Sequence, residues 1–76
     1  MSDRRLIINF AIGADAAERA HELLIVRLGE VADCAPAENK ALEAGRLAAV
    51  EKLKSIIAEL ETVGADLRAL EQEAEE

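Results

Sequence analysis

Few side chains in this sequence could do chemistry, and their spacing decides what they could do. His21 lies between Glu18 and Glu22. Positions three or four apart share a helix face, so Glu18 and His21 could together hold a metal ion. Two ligands do not make a zinc site. His21 also falls in the apolar register described below, which points to a partly buried or boundary histidine. In that position its titration would make assembly pH-sensitive. Cys34 is the single cysteine. A Cys–His nucleophilic pair would have to bridge a helical rise of roughly 20 Å between His21 and Cys34. Cys34 therefore reads as a small packing residue beside a turn.

Longer catalytic or ligand-binding patterns are absent from the sequence. There is no DxDxDG calcium loop, no GxxxxGK[ST] phosphate loop, no GxSxG elbow and no HExxH pair. Gly13 and Gly29 stand alone and cradle no phosphate. No convergent polar site is visible, so no enzyme activity, cofactor or metal is expected.

The elements that would position these residues are helices. The chain has 76 residues, a formal charge of −7, and Ala and Leu in abundance with one Pro and four Gly. That composition favours helix. Chains this short bury little core and commonly need disulfides, a metal or oligomerisation. With one Cys and one His, oligomerisation is what remains. The acidic balance disfavours nucleic acid and anionic membranes. A single Phe without Trp or Tyr removes the usual platforms for stacking bases. No apolar run approaches the roughly 20 residues of a membrane span. Arg4 and Arg5 precede a short apolar patch, but Asn9 and the charges from Asp15 onward argue against a signal peptide. The expected location is the cytoplasm, where a lone thiol stays reduced.

Two registers organise the chain. Leu42, Arg46, Ala49, Leu53, Ile56, Leu60, Val63, Leu67, Leu70 and Ala74 alternate steps of four and three, the spacing of a heptad seam. Val50 and Ile57 widen it toward bundle packing. Arg46 is its one charge, and a single polar seam residue can fix register or oligomer state. Ile7, Phe10, Ala14, Ala17, His21, Leu24, Leu28, Val31 and Ala35 make a second register of the same kind. Between the two, Pro36 breaks the helix and fits a first helical position.

The expectation is an all-α, antiparallel two-helix hairpin forming one domain. Its first helix covers about 3–34, its turn about 35–37 and its second helix about 37–74, with a frayed acidic C-terminus. The hairpin is expected to assemble into a dimeric four-helix bundle or a higher helical oligomer. The rival reading makes residues 4–12 a strand, with Leu6, Ile8, Phe10 and Ile12 on one face. The resulting strand–helix–helix order resembles ribbon-helix-helix repressors, a resemblance that implies paired strands in the major groove with Arg4 and Arg5 on DNA. The charge, the helix lengths and the apolar strand weigh against it.

The functional expectation is a small acidic interaction module, acting by self-association and by binding a protein target that the sequence does not identify. Proteins of this size and shape, including accessory proteins of bacteriophages and plasmids, serve as adaptors, cochaperones or inhibitors, an analogy of build alone. The expected interface comprises Phe10, Leu24, Leu28 and Val31 on the first helix. On the second it comprises Ala49, Val50, Leu53, Ile56, Ile57, Leu60, Val63, Leu67 and Leu70. A bundle that sequesters a small ligand between chains is a third reading.

Overall fold

The computed structural model describes residues 3–75. It contains α1 (Arg4–Ala32) and α2 (Lys40–Glu75), packed against each other as a hairpin. The molecule is a rod of 61 × 16 × 15 Å. Residues 4–12 are the first turns of α1, so the strand is not formed, and the ribbon-helix-helix reading loses the element it rested on. The physical reason lies in the three-four register from Ile7 to Val31, which passes through Gly13 unbroken and gives the segment a helix to pack against. An isolated strand would have had no partner.

Along α1 the half-buried or buried line is Ile7, Phe10, Ala14, Ala17, His21, Leu24, Leu28 and Val31. Along α2 it is Glu43, Arg46, Val50, Leu53, Ile57, Leu60, Gly64, Leu67 and Glu71, again in steps of three and four. Small residues mark the closest approach. Ala14 and Ala17 are buried, as is Gly64. A Cβ placed on Gly64 would lie 3.6 Å from the Ala17 Cβ, and one on Gly13 would lie 3.1 Å from Leu67 Cδ1.

The connection between the helices spans residues 33–39, longer than the expected turn at 35–37. α1 closes with the Asp33 amide donating to Gly29 O at 2.9 Å. Pro36 sits within the connection rather than at the first position of α2. The start of α2 is fixed instead by Asn39, whose Oδ1 accepts the Leu42 amide at 3.0 Å. That is an N-cap bond to the third helical residue, satisfying a donor the helix leaves unpaired.

Candidate functional site: two unlike flanks of the hairpin

A hairpin seam has two edges, and here they differ in chemistry. On one edge Arg68 reaches across from α2 to α1. Its guanidinium donates to Glu18 at 2.6 Å and to Asp15, and on its own helix to Glu71 at 3.0 Å. Glu18, Asp15 and Glu71, in that order of effect, hold the Arg68 pKa well above its ordinary value. Next along this edge, His21 Nε2 lies 3.9 Å from Glu61 Oε2, which is beyond hydrogen-bond length. Glu18, His21, Glu61, Gly64 and Arg68 line a shallow recess of about 330 Å³ here. Its cation, Arg68, is already engaged by carboxylates of the same chain.

Cys34 is remote from this edge, at the hairpin end, exposed, with its thiol donating to Glu30 O at 2.9 Å. Among the described residues no three His, Cys, Asp or Glu side chains are grouped to hold a metal.

Arg46 works at the hairpin end. Its Nη1 donates to the Val31 and Ala32 carbonyls at 3.0 and 3.3 Å, capping α1 from the other helix. Its Nε and Nη2 donate to Glu43 at 2.8 and 2.6 Å. Glu43 Oε1 in turn accepts the Ala37 amide at 3.0 Å. The Arg46 hydrogen bond, then the Ala37 amide, lower the Glu43 pKa to about 2. The polar seam residue thus joins connection, α1 and α2 within one chain.

The opposite edge of α2 is apolar. Leu42, Ala49, Ile56, Val63 and Leu70 recur every seventh residue, each one position before an inward-facing residue, and all are exposed. Leu42 keeps 65% of its surface exposed, Ile56 45%, Val63 48% and Leu70 42%. A third apolar group, Ile12, Leu23 and Val26, lies on the outer face of α1 and is also exposed.

The residues expected to form an interface therefore divide in two. Phe10, Leu24, Leu28, Val31, Val50, Leu53, Ile57, Leu60 and Leu67 lie half-buried or buried, along the line each helix turns to the other. Ala49, Ile56, Val63 and Leu70 lie outside that contact. Sequence reasoning missed the Arg68 cluster, because Asp15 and Glu18 lie about fifty residues away and only the hairpin register aligns them. Among the described residues, no helix is long and apolar enough to cross a membrane. No protein-family model, curated protein or solved structure matches the chain.

Proposed function

We propose that this chain is a protein–protein interaction module, an adaptor, cochaperone or inhibitor, that self-associates and offers a helical face to a protein target. The observation that carries this reading is how little of its surface one hairpin covers, with large apolar side chains among what stays exposed. Its accessible surface is 5941 Å². A globular monomer of its mass would expose about 4,500 Å². The radius of gyration is 17.3 Å, against about 11 Å for a compact domain of this length. Among the described residues, Val50 is the one large apolar side chain that is buried, and none is fully buried.

Exposed apolar surface on this scale favours association over a free monomer. Two such faces on one rod suit a module that uses one for its own copies and another for a target. Helical modules bind targets by laying an apolar face into a groove, and Leu23 and Val26, one turn apart and exposed on the outer face of α1, suit that mode.

The test is the concentration dependence of thermal melting, followed by circular dichroism over a hundredfold dilution. Self-association predicts a melting temperature that falls on dilution. A midpoint independent of concentration would count against it. Affinity capture with the tagged chain, repeated with Leu23→Glu plus Val26→Glu, then tests the target face. A captured protein lost from the double variant supports this reading, and one retained places the target elsewhere.

A further inference from the structure

We infer that the second copy docks on the Leu42–Leu70 edge of α2, with the two α2 helices antiparallel about a twofold axis at Ile56. This inference rests on the self-association proposed above and assigns its surface and symmetry.

Three observations favour it. First, the stripe Leu42, Ala49, Ile56, Val63, Leu70 has a period of seven and is symmetric in spacing about Ile56. A twofold contact requires that residue i meet residue j and j meet i. Antiparallel pairing about Ile56 sets Leu42 against Leu70, small Ala49 against Val63, and Ile56 against its own copy.

Second, the charges beside the stripe select the direction. Lys52 lies one turn before Ile56 and Glu59 one turn after it, both exposed and both beside the recess that Ile56 lines. Among the described residues neither forms an ion pair within the chain, whereas Lys54 does, with Glu51. In the antiparallel pair Lys52 faces Glu59 of the other copy, twice by symmetry, and Asp66 faces Gly45. A parallel pair would set Lys52 against Lys52, Glu59 against Glu59 and Asp66 against Asp66. Like charges placed opposite one another disfavour that arrangement.

Third, the single hairpin leaves surface to spare for an interface. The hairpin's 5941 Å² exceeds the surface of a globular chain of its mass by roughly 1,400 Å². A stable interface needs about 800 Å² from each partner. The opposite edge is a poor alternative, because Arg68 and its carboxylates would have to be desolvated there.

The experiment is site-directed crosslinking with a short bismaleimide at micromolar concentration, in a full-length Cys34→Ser background. Circular dichroism confirms the helicity of each variant, and sedimentation is run in parallel. Ile56→Cys should give a covalent dimer in high yield. Leu42→Cys alone and Leu70→Cys alone should not, while an equimolar mixture of those two should link as a heterodimer. In a separate series, Lys52→Glu should weaken association at least several-fold, and adding Glu59→Lys should restore it. Self-linking by Leu42→Cys or Leu70→Cys alone would overturn the antiparallel twofold. A dimer in sedimentation that crosslinks instead through Ile12→Cys or Val26→Cys would overturn the assigned edge and leave self-association standing. A fully helical monomer would overturn both, and would leave the edge to a different protein.

Discussion

The guanidinium of Arg46 donates to the main-chain carbonyl of Val31 at 3.0 Å, across fifteen residues of sequence. One side chain of α2 thus closes the end of α1. The same group pairs with Glu43, which holds the Ala37 amide of the connection. This explains why the inward line of α2 carries a cation near the hairpin end: the charge answers carbonyls that a helix terminus leaves unpaired.

The pH dependence of this junction follows from Glu43. Its folded pKa lies near 2, below the ordinary 4.5. A depressed carboxylate contributes stability that is fully present above its unfolded pKa and is lost as pH falls through the folded one. The window is therefore about pH 4.5 down to 2. Glu43→Gln should melt at a lower temperature at pH 7 and should lose less on acidification than the natural chain. Melting curves at half-unit pH steps check this. Equal slopes for both proteins would mean that Glu43 does not set the acid sensitivity.

Helix capping by Asn39 gives a second expectation. Its Oδ1 accepts the Leu42 amide at 3.0 Å. Asn39→Ala should cost about 1 kcal/mol in urea denaturation, whereas Asn39→Asp or Asn39→Ser should be close to neutral because each retains an acceptor.

The glycines should respond differently to alanine. A Cβ on Gly29 meets nothing within 4 Å, so Gly29→Ala should stabilise by about 1 kcal/mol through helix propensity. On Gly13 the added carbon falls 3.1 Å from Leu67 Cδ1. Gly13→Ala should gain clearly less, since Leu67 must shift to admit it. Ala17→Leu, at the closest approach, should destabilise by about 1–3 kcal/mol through overpacking. Chemical denaturation of the three variants at one protein concentration would rank them.

Arg68→Ala should lower the melting temperature, and the deficit should shrink as salt rises. Arg68 draws Glu18 and Asp15 of α1 to α2 at a half-exposed edge, where screening acts. Arg68→Lys should recover only part, because an ammonium lacks the planar fork that serves several carboxylates at once. A deficit that does not change with salt would indicate that the alkyl stem, rather than the charge, carries the effect.

The fold was legible because both helices repeat their apolar residues at helical spacing, and the α1 line from Ile7 to Val31 matches the observed contact. The α2 side was harder to read. Two adjacent columns compete there: Ala49, Ile56, Val63, Leu70 and, one residue on, Val50, Ile57, Gly64, Glu71. The first is the more apolar, yet the second faces α1. The small Ala14 and Ala17 settle the choice, since Gly64 fits against Ala17 with room only for a small neighbour. That steric match depends on how two distant segments align, which composition and period do not specify. The helix boundary at Lys40 follows from the asparagine cap, a signal present in the residues but outweighed by Pro36.

The two columns also separate substitutions that would otherwise look alike. Leu60 and Leu67 are half-buried in the line facing α1, so Leu60→Asp should cost helicity in the hairpin itself. Ile56 lies outside that contact, so Ile56→Asp should act on association, with helicity recovered at higher protein concentration.

Sedimentation equilibrium of the unmodified chain tests self-association. At micromolar concentration and moderate salt, the mass should be twice the 8.2 kDa of one chain or a higher multiple, and should fall on Ile56→Asp. A fully helical species holding the single-chain mass across the micromolar range would contradict it.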